Sequence, residues 1–256
     1  MKTFCFTVDD NIRFLKEITA QGYRSLFDHP YPAMLRRLHE RFSLKVQLNL
    51  FYRMDGFDLS GMSDRYAAEW EENADWMKLS FHSDRENVSP YENSGYDVVF
   101  ADCRSVNEQI LRIASPSALA QTTTVHYCRV TDDGLRALAD NGVRGLLGLF
   151  GTEEKPNTSY GLAEGLAGQI RAGKVICRDR LTFAGIDMII NKIPMRELLP
   201  ALSSFFARDS IRVMIHEQYF YSDYPAYQPD FEEKLIAVFD ALHNRGYVSR
   251  FFEELI

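Results

Sequence analysis

Phe4-Cys5-Phe6-Thr7-Val8-Asp9-Asp10-Asn11-Ile12-Arg13-Phe14 drives an apolar run straight into two adjacent carboxylates. A short, continuous apolar run of this kind is the pattern of a parallel strand buried on both faces. Asp9 and Asp10 stand at its C-terminal end. Adjacent like charges repel, and a carboxylate taken out of water is costly unless a cation answers it. Two readings stand at this point. Asp10 or Asn11 caps a following helix, or the pair forms part of a cation site.

Outward from this strand, helical and extended patterns alternate to the end of the chain. Helical periodicity falls on residues 32–41, 64–76, 96–114, 132–141, 194–208 and 230–244. Ser63 is placed to cap the second of these, and Gly142 and Gly246 to close the fourth and the last. Extended patterns fall on residues 44–52, 77–81, 120–125, 143–149, 174–177, 183–190 and 211–215. A strand-then-helix rhythm implies parallel strands joined by right-handed crossovers. Either a closed barrel or an open doubly wound sheet satisfies it. There is no internal repeat or long linker, so the expectation is one domain over residues 1–256. No G-x-G-x-x-G or P-loop follows the first strand, which gives nucleotide phosphates no support.

Of the 256 residues, 46% are hydrophobic and 25% charged, enough for a substantial core in a soluble protein. The net charge of -7 argues against nucleic acid or an anionic membrane as the main partner. The four cysteines form no C-x-x-C pair, and Cys5 and Cys177 read as small buried residues. Asp9 and Asp10 come too early for a secretory apolar segment, and no run approaches the length of a membrane span. A cytoplasmic location is therefore expected.

Four of the extended segments end on polar residues: Asp9-Asp10, His82, His126 and His216. In a parallel barrel the C-terminal strand ends converge on one face, where active sites are built. The other three histidines, His29, His39 and His243, lie in a loop or on helices. One carboxylate with two imidazoles is a donor set for zinc, iron, manganese, cobalt or nickel.

The order of these pieces resembles the polysaccharide deacetylase family, metal-dependent hydrolases on a distorted (β/α) barrel. The family opens with T-[FV]-D-D-G, and this chain has Thr7-Val8-Asp9-Asp10-Asn11. Its last strand ends L-x-H, matched by Met214-Ile215-His216. Its third strand ends H-[ST]-x-x-x-H. Here the stretch is His82-Ser83-Asp84-Arg85-Glu86, with Glu86 where the second histidine belongs. The resemblance implies an α/β fold, a single distorted barrel with seven parallel strands. It implies Asp9 as catalytic base, His216 as general acid, and Asp10 and His82 as ligands of a divalent metal, zinc first among them. His126, fixed on the next strand, is expected to complete the ligand set in preference to Glu86. Arg129 is a loose match to an arginine that orients the base. The implied reaction removes an acetyl or related acyl group from an amide on a small carbohydrate or oligosaccharide. Aromatics near these positions (Phe51, Tyr52, Trp76, Phe81, Tyr91, Tyr127, Tyr219, Phe220 and Tyr221) suit a sugar pocket. Two alternatives remain at this stage: a metal-free glycoside hydrolase using Asp9 and Glu217, and a non-catalytic carbohydrate-binding relative. Glu217 reads as a second acid or as a solvated loop charge. The oligomeric state is open.

Overall fold

The computed structural model describes residues 1–86, 91–152, 154 and 159–256. Its elements run β1 (Thr3–Asn11), α1 (Arg13–Gln21), α2 (Pro30–Phe42), β2 (Val46–Phe51), β3 (Arg53–Met54), β4 (Phe57–Asp58), α3 (Ala67–Glu72), β5 (Met77–Ser83), α4 (Tyr96–Ile113) and β6 (Thr122–Thr123). The second half runs α5 (Asp132–Asp140), β7 (Gly145–Gly148), α6 (Glu164–Arg171), β8 (Ile176–Arg178), β9 (Leu181–Gly185), β10 (Met188–Ile189), α7 (Met195–Ser203), β11 (Ser210–His216), α8 (Phe231–His243) and β12 (Val248–Ser249).

The strands form two main ladders. A six-stranded sheet has the order β10-β11-β1-β2-β5, with β12 also on β1, and every pairing in it is parallel. A four-stranded sheet has the order β6-β7-β9-β8, parallel except for the edge strand β8. The expected ring of seven parallel strands is thus corrected to two sheets of six and four. The break lies where residues 115–121 wander between β5 and β6. There a lone bridge, Leu79 with Leu119, and bonds from Leu79 N to Ala118 O and Ala120 N to Leu79 O (both 2.8 Å) replace a ladder. The expected strand over 120–125 shrinks to Thr122–Thr123 for the same reason. The helix expected over 64–76 is also shorter. Ser63 caps a single 3₁₀ turn, and α3 follows it.

β1 is central and buried along its whole length, as its apolar run requires. Phe4 and Phe6 pack on Phe239 of α8, with ring centroids 5.7 and 4.9 Å apart. Phe42 of α2 closes on the same ring at 6.1 Å. Buried apolar residues from both sheets belong to this one core. Cys5 is buried as expected, but Cys177 is exposed, because β8 is the open edge of the second sheet. Among the described residues, no helix is long and apolar enough to cross a membrane.

Phe239 is wholly buried and holds three aromatic neighbours from β1 and α2. Phe239→Ala is expected to cost about 3–5 kcal/mol in a urea unfolding experiment, the usual loss for a large aromatic ring in a core.

Candidate metal centre

Successive side chains of a strand point to opposite faces, so a regular β1 would separate Asp9 from Asp10. The chain avoids this with a bulge. The register of β1 against β2 shifts between Val8 and Asn11, and Asp10 takes a left-handed backbone with φ 63°. Aspartate tolerates that region better than most residues. Asn11 secures the bulge. Its Nδ2 donates to the carbonyls of Val8 (2.6 Å) and Asn49 (3.2 Å), and its Oδ1 accepts from Tyr31 Oη (3.1 Å). Neither Asp10 nor Asn11 caps α1, whose N-terminus has no local side-chain cap. Both carboxylates line one pocket of about 250 Å³.

His82 reaches the pocket from the end of β5. Its Nδ1–H donates to the carbonyl of Thr124. A carbonyl can only accept, so the neutral ring carries its lone pair on Nε2. That nitrogen lies 3.1 Å from Asp10 Oδ1 and 3.1 Å from His126 Nδ1, and the last two atoms are 3.3 Å apart. His126 does not end a strand as expected. It opens a 3₁₀ turn in which Tyr127 and Cys128 have φ of 59° and 55°. Such left-handed residues cost energy and cluster at functional sites. Phe51 packs against both imidazoles, with centroids 5.2 and 5.0 Å away.

These three buried atoms form a nearly equilateral triangle: neutral His82 offers a lone pair on Nε2, and the other nitrogen of His126, Nε2, is buried with no partner to hold its proton. A cation bound at about 2.0–2.2 Å from each would attract all three. The donor chemistry fits a divalent metal, and the Thr124 carbonyl fixes the His82 tautomer as outer partners of metal ligands commonly do. Among the described residues, these three form the one cluster of potential ligands with donor atoms this close. Glu86 lines the same pocket but is outside the cluster. Burial, and after it the Asp10 charge, pushes its carboxyl up.

The electrostatics follow from burial and neighbours. Burial works against ionised Asp10, but bonds from His126 and His82 outweigh it and hold this carboxyl well below the usual range. Burial works against charged His82, but Asp9 and Asp10 outweigh it and push the imidazole up. Burial pushes Asp9 up and His126 and His216 down.

Asp9 and His216 are register partners on the neighbouring strands β1 and β11. Asp9 Oδ1 accepts from Asn49 Nδ2 at 2.6 Å, and Asn49 Oδ1 in turn accepts from Gln47 Nε2 (2.8 Å) and Ser80 Oγ (2.5 Å). His216 Nδ1–H donates to Asn191 Oδ1 at 3.0 Å, which leaves Nε2 as the ring's second nitrogen. Asp10 Oδ2 accepts from Gln218 Nε2 at 2.7 Å. Asn49, Thr124 and Asn191 were not singled out by sequence.

Three expectations are corrected. Glu217 is neither a second acid nor a solvated charge but is wholly buried. Its Oε2 accepts the backbone N–H of Ile12 (2.7 Å) and Arg13 (3.0 Å), and its Oε1 accepts Phe14 N–H (2.7 Å) and Tyr221 Oη–H (2.7 Å). It caps α1 from the far end of the chain. Burial pushes this carboxyl up to about 7, against the pull of those donors. Arg129 pairs with Glu92 at 2.7 Å on the surface and is not among the pocket residues. Of the nine aromatics, only Tyr127 and Tyr219 line the pocket, joined by Tyr224. Phe51 backs the two imidazoles, and the others pack elsewhere, as Trp76 does on His39 and Phe220 on Tyr31.

No family model and no curated protein matches this sequence. Solved structures do share its fold. A family 4 acetyl xylan esterase from Clostridium thermocellum, in complex with a cobalt ion, aligns over 99% of this chain and 90% of its own, with a TM-score of 0.55 and 12% identity. A mutant CE4 family pseudoenzyme with restored activity, whose wild type is from Bacillus anthracis, aligns over 99% and 67%, with 0.54 and 11%. The 4-alpha-glucanotransferase of Thermococcus litoralis gives 0.62 at 12% identity, and this chain spans 40% of it. The chain therefore has the fold of the CE4 deacetylases and esterases.

Protein purified without chelator is expected to bind about one divalent metal per chain, and His126→Ala to lose it, as read by elemental analysis. Because His82 must shed its proton to coordinate, affinity should be lower at about pH 6 than at about pH 8. Glu217→Ala should cost about 3 kcal/mol or more in unfolding experiments, since it strands three backbone N–H groups.

Proposed function

We propose that this chain is a metal-dependent amide hydrolase that removes an acetyl or related small acyl group from a carbohydrate. The observation that supports this most is the convergence of Asp10 Oδ1, His82 Nε2 and His126 Nδ1, which would hold the ion. A bound divalent ion supplies Lewis acidity, polarising an acyl oxygen and easing deprotonation of water. Zinc heads the candidates, with manganese, iron, cobalt and nickel compatible with one oxygen and two nitrogen donors.

The chain's own residues supply the proton traffic. Asp9, held through one oxygen by Asn49, keeps Oδ2 to take a proton from the attacking water. Its raised pKa brings it closer to the working range of a base. His216 takes up a second proton from solvent on Nε2, beside its Nδ1–H, and delivers it to the leaving amine as the carbon–nitrogen bond breaks, while the proton Asp9 took from water is released to solvent. Water and amide are consumed, and acid and amine are formed. Val125, Cys128, Leu149 and Met214 give the pocket an apolar side that suits a small acyl group. Tyr127, Tyr219 and Tyr224 offer ring faces at its mouth for a sugar.

The metal-free glycoside hydrolase reading loses its second carboxylate, because Glu217 is committed to the N-terminus of α1. A non-catalytic reading is favoured by Glu86, which stands where the resembled motif has histidine, and by the likeness to a pseudoenzyme. The metal-loaded protein decides between them through hydrolysis of N-acetylated sugars. Release of acetate supports the enzyme, and its absence across mono- and oligosaccharides supports the non-catalytic reading.

His216→Ala is expected to keep its metal while turnover falls about 10²-fold or more, the usual worth of a positioned proton donor. Metal loss would make His216 a ligand, and unchanged turnover would make it structural. Glu86→Gln should leave metal content nearly unchanged, and a large loss would move the third ligand from His126 to Glu86.

A further inference from the structure

The hydrolase reading leaves one cation at the pocket without a task. Lys192 is the one lysine or arginine among the residues that line it, beside Asp9, Asp10 and Glu86. Its ammonium donates to Tyr219 Oη at 3.0 Å and lies 5.5 Å from the centre of that ring. Among the described residues, no carboxylate pairs with it. The arginines around a larger cavity of about 560 Å³, between α5 and β8–β9, behave differently. Arg136 pairs with Asp133, Arg178 with Asp132 and Arg180 with Asp140.

Lys192 also stands on a fixed base. Asn191, only 4% exposed, holds His216 Nδ1 through its side chain. Its carbonyl accepts from Gln228 Nε2 at 2.7 Å, and Gln228 Oε1 accepts from buried Lys234 Nζ at 2.9 Å. The turn that carries Lys192 is thereby tied to His216. The Lys192 charge reaches that imidazole too, adding to the larger effect of burial in pushing it down. Lys192 and Tyr219 together offer an exposed donor on the His216 side of the pocket. An ammonium binds an anionic oxygen through a charge-assisted bond, stronger than a bond to a neutral hydroxyl.

We infer that Lys192 receives an anionic oxygen group, a carboxylate or a phosphate, on the leaving-group half of the substrate, so that the site takes acidic N-acylated compounds ahead of neutral ones. This rests on the amide hydrolase reading, which places the leaving amine beside His216. Asp9, Asp10 and Glu86 would otherwise repel such a substrate, and Lys192 is the lining residue able to offset them.

The test compares N-acetylglucosamine with its 1-phosphate, its 6-phosphate and N-acetylmuramic acid on zinc-loaded protein. The phosphates and the carboxylate separate the two sources of negative charge. At least one anionic sugar should show kcat/KM about 10-fold or more above the neutral one, the worth of one bond to a charged group. Lys192→Met should remove that advantage while lowering the neutral rate much less, and Lys192→Arg should retain most of it. An equal fall for all four sugars would place Lys192 at the reacting centre and overturn the inference, as would undiminished preference in Lys192→Met. If none is hydrolysed, calorimetric binding of the same sugars separates the two failures. Tighter binding of an anionic sugar that Lys192→Met abolishes would keep this inference and sink the hydrolase reading. Equal binding of neutral and anionic sugars, or no binding of any, would overturn it.

Discussion

A carboxylate oxygen and two imidazole nitrogens crowded together in a buried site need a proton or a cation between them, and much of the surrounding structure serves to keep them there. Asp10 Oδ1, His82 Nε2 and His126 Nδ1 lie within 3.3 Å of one another. Each is held by a different device. A bulge with φ 63° turns Asp10 to the same pocket as Asp9. The Thr124 carbonyl fixes the His82 ring. A turn with two left-handed residues carries His126. A proton on His82 can answer this need in the metal-free protein, which is the direction its two carboxylate neighbours favour. A divalent ion answers it more completely, because it attracts all three atoms at once.

Strain of this kind persists only where neighbours over-determine it. At Asp10 the neighbours are Asn11, which stitches the bulge to β2, and Glu217, which grips the next three backbone N–H groups. Glu217 directly follows His216, so one buried carboxylate ties the strand end bearing the proposed acid to the segment bearing the proposed base and ligand. Below the rim lies a polar row, Gln47, Asn49, Ser80 and Thr122, bonded side chain to side chain. It replaces what would be apolar packing and ends on Asp9. Fully bonded polar networks of this kind rigidify a site.

Much of this was legible in the sequence because strand periodicity survives translation into structure. The run from Phe4 to Val8 had to be a buried strand, and polar residues at strand ends had to gather at one edge of a parallel sheet. Asn49 and Gln47 were legible in principle, since both interrupt a buried strand at a spacing of two. The bulge at Asp10 was not, because it exists only in the register between β1 and β2. Glu217 misled for a related reason. Its three backbone partners lie 203 to 205 residues away, and no local pattern distinguishes a carboxylate destined for a distant helix end from one left in water. Closure of the strands was over-read as well. The rhythm of elements does not show that residues 115–121 would break the ladder.

Anomalous diffraction from crystals grown with cobalt would locate the ion. One strong peak is expected about 2.0–2.3 Å from Asp10 Oδ1, His82 Nε2 and His126 Nδ1 together. A peak that leaves out any of the three, or a pocket that takes no cobalt while the protein is folded, would contradict this placement of the ion.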